Sequence, residues 1–211
     1  MTLQVLNCEQ GSEEWFLARA GIPTSSMFAT VMASGRGGGE SKTRAKYMRQ
    51  LAGEIITGRP MESYSNAHME RGHKMEPEAR DLYAFATDTA PEQVGFIRNG
   101  PKGCSPDSLI GANGMLEIKT KLPDLLIECL ERDDFPPEHK AQCQGALWVA
   151  EREWLDIIIY WPSIPVFIKR AYRDEPYIAD MAKAVDAFNN DLSALVDRIR
   201  SYTPSTQKEA A

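Results

Sequence analysis

The sequence reads Ser-Pro-Asp-Ser-Leu-Ile-Gly-Ala-Asn-Gly-Met-Leu-Glu-Ile-Lys over residues 105–119. Two strand patterns flank a Gly-Ala-Asn-Gly turn, a hairpin signal because Asn-Gly tolerates positive φ. Side chains alternate across a strand, so Glu117 and Lys119 share one face. The hairpin returns Asp107 beside them, although the sequence does not fix its register. We therefore expect two carboxylates and one ammonium group to converge here.

The rest of the chain predicts helices and strands in an order typical of an α/β protein. Apolar spacing, capping residues and turn residues give the bounds. Helices are predicted over residues 12–21, 24–33, 42–57, 66–87, 122–132, 137–151 and 175–202, and strands over 93–98, 105–110, 115–121, 154–161 and 166–172. Pro77 must kink the fourth helix or begin a new segment. The order indicates a central mixed β-sheet flanked by helices.

Length and composition predict a single domain over residues 1–211, with a disordered tail over 203–211. No apolar run reaches the roughly 20 residues that a membrane helix needs, and no signal peptide is recognised, so we expect a cytoplasmic protein. The four cysteines are scattered, which favours free thiols over a metal site. The net charge of −6 argues mildly against a nucleic-acid partner.

Basic residues are nevertheless concentrated over residues 36–49, where five lysines and arginines stand against Glu40 alone. This excess could follow a phosphate backbone or form a solvated helix face, and the sequence does not separate the two. The glycines before Lys42 resemble a P-loop, but the required Gly-Lys-Ser/Thr is missing.

The hairpin residues suit a hydrolytic metal site. Magnesium prefers oxygen ligands, so Asp107 and Glu117 could hold it, and Lys119 could orient a water molecule. Glu76, near a helix start, is a plausible third ligand or a solvated acid. Gln142 could touch the site or lie at the surface, and the same holds for His139. An exposed hairpin with incidental charges remains the alternative for the whole motif.

Several ordered motifs make the chain resemble the lambda-exonuclease family, also described as YqaJ-like viral recombinase nucleases of the PD-(D/E)xK superfamily. They extend from Glu14 to Tyr172. They comprise Trp15 with Arg19-Ala-Gly, Thr24-Ser-Ser, Gly72 through Glu76, Ala79-Arg80, Cys104-Ser-Pro-Asp-Ser, Leu116-Glu-Ile-Lys, Ala141-Gln-Cys-Gln and Leu147-Trp-Val. The resemblance implies a restriction-endonuclease-like core.

The resemblance also implies roles for individual residues. Metal ions, two Mg²⁺ per site with Mn²⁺ as a substitute, would be held by Glu76, Asp107, Glu117 and the carbonyl of Ile118. Lys119 would assist the attacking water, and Gln142 would lie close by. The DNA-binding positions are Arg19, Ser26 and Ser105 on a terminal 5′-phosphate, Arg36 in the minor groove, and Met69 as a wedge between base pairs. Met69 could equally be a core residue.

The implied activity is a magnesium-dependent 5′→3′ exonuclease that degrades one strand of linear double-stranded DNA in phage-type recombination. The implied partners are double-stranded DNA ends, two further copies in a homotrimer and a single-strand annealing protein. The chain departs from the family in a shorter segment between Lys119 and Gln142 and in Pro77 after Glu76. An endonuclease of the same fold and an inactive DNA-binding subunit are the rival interpretations.

Overall fold

The structure is a computed structural model that describes residues 3–35, 37, 39, 41–61 and 67–204, apart from the side chains of residues 67–69. The strands are β1 (Leu3–Leu6), β2 (Phe96–Asn99), β3 (Gly103–Cys104), β4 (Ser108–Ile110), β5 (Gly114–Thr120), β6 (Trp154–Tyr160) and β7 (Phe167–Tyr172). The α-helices are α1 (Glu13–Arg19), α2 (Phe28–Met32), α3 (Lys42–Thr57), α4 (Ala67–Thr87), α5 (Pro123–Arg132), α6 (Lys140–Ala150) and α7 (Glu175–Arg200). Short 3₁₀ turns precede α2 and α6.

The larger sheet has the strand order β4-β5-β6-β7 and confirms the predicted mixed sheet. β5 and β6 run parallel, and the two outer pairs are antiparallel. A parallel pair requires a long crossover, which α5 and α6 provide. Helices flank the sheet, as the element order indicated.

A second sheet, β1-β2-β3, was not predicted. The predicted strand over residues 93–98 corresponds to β2, which pairs antiparallel with β1 and β3 and not with the larger sheet. β1 has four residues and β3 has two, so neither is long enough to show an alternating pattern.

The β4-β5 hairpin exists, but the reason given for its turn was wrong. Ile110 pairs with Gly114, so the loop is residues 111–113, and its positive φ falls on Gly111 and not on Asn113. Gly114 is already in the strand, where a Cβ would lie 2.2 Å from the ring of Trp154. The glycine is required by close packing and not by the turn.

The two faces of the β5-β6 pair pack against different helices. One face carries Met115, Leu155 and Ile157 into the main core, which α2, α3, α6 and α7 complete. The other face packs Leu116 and Ile158 against α4. Alternate residues of β5 therefore enter separate environments.

Most of the predicted helix ends are confirmed to within a few residues. α3 has the predicted bounds and ends at Gly58, which takes the left-handed conformation. The Ser12 side chain caps α1, and α4 continues through Pro77. Most of the expected tail, residues 205–211, lies outside the described residues. Within the described part of the chain, no helix has both the length and the apolar character that a bilayer crossing requires.

Candidate active site

The hairpin side chains meet α6 at the carboxyl end of β5. Glu117 is 3% exposed, and its Oε1 accepts hydrogen bonds from Lys119 Nζ and Gln142 Nε2, each at 2.5 Å. The predicted shared face of Glu117 and Lys119 is therefore present. Of the two α6-side candidates, Gln142 contacts the acid directly.

Asp107 joins this group from the end of β4. Its main-chain N–H donates to Leu116 O at 3.1 Å, which fixes the register that the sequence left open. Its carboxylate Oδ2 accepts from the Ile118 N–H at 2.5 Å. We call Asp107, Glu117, Lys119 and Gln142 the acid cluster.

The acid cluster has more negative than positive charge. Removal from bulk water raises the pKa of Asp107, the charge of Glu117 raises it further, and Lys119 only partly opposes this rise. For Lys119, burial alone would lower the pKa, but the charges of Glu117 and Asp107 raise it, so the ammonium stays protonated. Two acids share one ammonium group, and an added cation would relieve their repulsion.

Glu76 lies in a neighbouring cleft of about 840 Å³ that it shares with His73, Arg80 and Asp107. Arg80 Nη2 donates to Glu76 Oε1 and also to the main-chain oxygen of Asp107 at 3.4 Å. Among the described residues, no three acidic, histidine or cysteine side chains are grouped closely enough to hold one ion. Each predicted acidic ligand instead accepts a hydrogen bond from a protein group, and the three-acid set stays a prediction.

The acid cluster nonetheless fits a divalent cation. Its donors are carboxylate oxygens, which magnesium prefers, and burial withholds the water that would otherwise solvate their charge. The Ile118 N–H orients Asp107, as a hydrogen bond from outside a metal's own ligands commonly does. Glu117 and Asp107 are therefore the residues best placed to hold a metal, with Glu76 on the adjacent helix.

His139 stands near the acid cluster without a contact to its acids. Burial, together with the charge of Lys119, lowers the pKa of His139 to about 4, so the ring is neutral at pH 7. Its buried Nε2 has no hydrogen-bond partner among the described residues.

A separate group of residues surrounds Arg19 at the end of α1. Arg19 Nη1 donates to Ser105 Oγ at 3.0 Å, and its guanidinium lies 4.0 Å from the centre of the Trp15 ring. Trp15 Nε1 also donates to Ser105 Oγ, at 3.0 Å, and to Gly95 O at 3.1 Å. The serine that was predicted to bind a phosphate is thus held by two neighbours.

A pocket of about 270 Å³ opens beside this group, and we call it the Arg19 pocket. Its walls include Arg19, Ser26, Tyr47 and Glu54. Burial lowers the pKa of Arg19, yet no carboxylate among the described residues forms an ion pair with it. A partly buried guanidinium without an acidic partner is suited to bind an anion.

Two further predicted DNA-binding residues cannot be placed relative to either site. Arg36 lies outside the described residues, and so does the side chain of Met69, although α4 includes its backbone. Within the basic segment Arg44 forms an ion pair with Asp191 at 2.8 Å, whereas Lys42, Lys46 and Arg49 are exposed. Both interpretations of this segment remain open.

The sequence analysis included Trp15 and Arg80 in the family motifs but gave neither residue a role in the site. Arg80 follows Glu76 by four positions, a helical spacing that places both on one side of α4 and could have suggested the contact. Nothing in the local sequence indicates that the Trp15 indole reaches Ser105, since 90 residues separate them.

Comparisons with known proteins identify the family and the fold. The model of the YqaJ-like viral recombinase domain matches residues 14–153. An alkaline exonuclease, LHK-Exo, from Laribacter hongkongensis is 31% identical with a TM-score of 0.80, and the alignment covers 95% of this chain and 100% of that one. The structure of LHK-Exo in complex with dAMP matches with 32% identity, a TM-score of 0.81 and the same coverage.

A phage related exonuclease from Haemophilus somnus 129PT shares the fold, with a TM-score of 0.64 at 14% identity over 84% of this chain and 96% of that one. No match was found among curated protein sequences. Because the family match spans most of the chain, the protein belongs to the YqaJ-like viral recombinase family, the lambda-exonuclease group of nucleases.

Proposed function

We propose that the protein is a magnesium-dependent 5′→3′ exonuclease that degrades one strand of linear double-stranded DNA from a 5′-phosphorylated end. The observation that carries the proposal is the closeness along the chain of a candidate phosphate site, the Arg19 pocket, and a candidate metal site, the acid cluster. Ser105, held by Arg19, and Asp107 of the acid cluster are two residues apart. A chain of two residues spans at most about 7 Å, which is on the scale of one nucleotide step.

The acid cluster would bind the metal. Asp107, Glu117, Glu76 and the carbonyl of Ile118 would hold two Mg²⁺ ions, with Mn²⁺ as a substitute. Bound magnesium lowers the pKa of water and stabilises charge on a phosphate oxygen. Lys119 stays charged beside these acids and can donate to the attacking water or to a phosphate oxygen. Gln142 fixes the Glu117 carboxylate through the bond at 2.5 Å.

The Arg19 pocket would bind the terminal phosphate. Arg19 offers a guanidinium, and the Ser26 and Ser105 hydroxyls can complete the shell around phosphate oxygens. In the reaction water forms a bond to phosphorus as the bond to the 3′ oxygen breaks, and the departing oxygen takes up a proton. The released 5′-mononucleotide leaves a new 5′-phosphate on the strand, so each cut restores the group that the pocket recognises.

The relatives support this proposal. LHK-Exo is an exonuclease whose structure is known in complex with dAMP, a mononucleotide of the kind expected as product. The family match also supports a role in phage-type recombination. We further propose that the protein works there as a homotrimer with a single-strand annealing protein.

The test uses one linear duplex labelled at either the 5′ or the 3′ end of a strand, in magnesium. We expect the 5′ label to appear first as a mononucleotide, while the 3′ label stays in long fragments until late. The opposite order would reverse the proposed polarity. Digestion of covalently closed circles at a similar rate would favour an endonuclease of this fold, and no digestion of any duplex would favour an inactive DNA-binding subunit.

A further inference from the structure

Tyr47 lies in the Arg19 pocket, yet neither the sequence motifs nor the predicted phosphate contacts include it. It belongs to α3, is 6% exposed, and stacks on Phe188 with ring centres 5.7 Å apart. The ring is therefore held by packing, and Tyr47 forms part of the pocket wall.

The hydrogen bond that Tyr47 makes leaves its proton available. The main-chain N–H of Thr24 donates to the Tyr47 hydroxyl oxygen at 3.3 Å, so this oxygen is the acceptor. The Thr24 side chain also hydrogen-bonds this hydroxyl, and because a threonine hydroxyl can act as the donor there, the phenol proton can turn to an acceptor that enters the pocket. Burial raises the pKa of Tyr47, and the phenol therefore stays protonated and able to donate.

The surroundings of Tyr47 favour an anion as a further acceptor. Arg19 interacts electrostatically with Tyr47 and Glu54, and no described acid forms an ion pair with its guanidinium. Glu54, the acid of the same pocket, accepts bonds from the main-chain N–H groups of Gly21 at 2.8 Å and Met61 at 3.3 Å. Its carboxylate is thus already engaged by fixed donors, which reduces its repulsion of an incoming anion.

We propose that the Tyr47 hydroxyl donates a hydrogen bond to the terminal 5′-phosphate and, with Arg19, selects phosphorylated over hydroxyl ends. This inference rests on the proposed function and adds a specificity-determining residue to it. The Thr24 amide orients the phenol, so the donor is preformed before DNA binds. A donor that is already oriented loses little conformational entropy on binding.

The experiment compares wild type with Tyr47→Phe, which keeps the stacked ring and removes only the hydroxyl. Tyr202→Phe is the matched control, because Tyr202 is 73% exposed. Binding of duplexes with a 5′-phosphate or a 5′-hydroxyl is measured by fluorescence anisotropy in EDTA, and cleavage of the same duplexes is measured in magnesium. Thermal melting of each variant checks the fold.

We expect Tyr47→Phe to weaken binding of phosphorylated ends about tenfold or more, the range for a hydrogen bond to a charged group, and to leave hydroxyl ends unchanged. Tyr202→Phe should bind as wild type does. An unchanged preference for phosphate in Tyr47→Phe overturns the inference and leaves the proposed function intact. Equal weakening for both ends also overturns it, since the hydroxyl would then be structural. A wild type without any preference would remove the phosphate pocket itself and, with it, the inference.

Discussion

Two buried carboxylates on opposite faces of the central strands differ in how their charge is balanced. Asp156 on β6 is 2% exposed and receives two hydrogen bonds from Arg170, both at 2.8 Å, and one from the Tyr83 hydroxyl at 2.6 Å. Glu117 on β5 is similarly buried, but it shares its single ammonium partner with Asp107.

The difference is the basis for assigning Asp156 a structural role and Glu117 the proposed metal-binding role. Asp156 accepts a bidentate pair of hydrogen bonds from the Arg170 guanidinium and one from the neutral Tyr83 hydroxyl. Its charge and its lone pairs are therefore satisfied within the fold. The acid cluster has two carboxyl groups for one ammonium group, so ionising both leaves a negative charge that the fold alone does not neutralise. Burial of a carboxylate by itself therefore does not point to an active site. Buried carboxylates whose charge the fold leaves unbalanced make an active-site candidate.

The largest expected effect tests the functional side of this contrast. Lys119→Ala should lower the rate of the cleavage step at least about a thousandfold, because the group that orients the attacking water is lost. DNA binding by anisotropy should change little. Lys183→Ala, at a lysine side chain that is 78% exposed, is the control. A loss of less than tenfold would remove Lys119 from the proposed mechanism.

The structural side is tested by Asp156→Asn. Removing one partner of a buried ion pair costs about 3–5 kcal/mol, and the lower value is expected because the Arg170 side chain is 41% exposed. Urea denaturation should show this loss, while cleavage per folded molecule stays near the wild-type value. Asp180→Asn, at an exposed acid, should be neutral. A stable Asp156→Asn protein with no activity would reverse the two assignments.

The Arg19 pocket extends the contrast to a cation that forms no ion pair with a described acid, although Glu54 lines the same pocket. Arg19→Ala should slow digestion of 5′-phosphorylated duplex about thirtyfold and of 5′-hydroxyl duplex much less, because a charge-assisted contact to phosphate is removed. Arg98→Ala is the control, because Arg98 is exposed and its replacement also removes one positive charge. Equal slowing of both substrates would show that Arg19 has no part in recognising the end.

The smallest effect concerns metal binding without DNA. Magnesium at about thirty times its Kd should stabilise the protein by about 2 kcal/mol, or several degrees in Tm, and should not stabilise Asp107→Asn. The folded-state pKa of Asp107 is raised, so stability without metal falls as the pH rises through that pKa. The gain from magnesium should grow over the same pH range. A gain that is equal in Asp107→Asn would place the metal elsewhere.

The sequence predicted those features that local patterns control. The bounds of α3 follow from apolar spacing and the glycine that ends it, and the shared face of Glu117 and Lys119 follows from strand alternation alone. The sequence could not predict the second sheet, because β1 pairs with residues at least 90 positions away and carries no pattern of its own.

The contacts that complete the candidate site were equally hidden. Arg19, Ser26 and Ser105 were selected through the family resemblance, since each is an ordinary surface residue by itself. The contact between Tyr47 and Thr24 depends on how α3 packs against the segment that follows α1, and pairwise tertiary packing of this kind has no local signature. Gln142 and His139 could be told apart only once α6 was placed against β5.

The short Ser105-Pro106-Asp107 segment makes the distance between the two sites a property of covalent bonds. Temperature, salt and crowding alter how often a duplex end is seated, but they do not stretch a peptide of fixed bond lengths and a proline of fixed φ. The length of the fragment released at each turnover should therefore stay constant under conditions that change the rate by orders of magnitude.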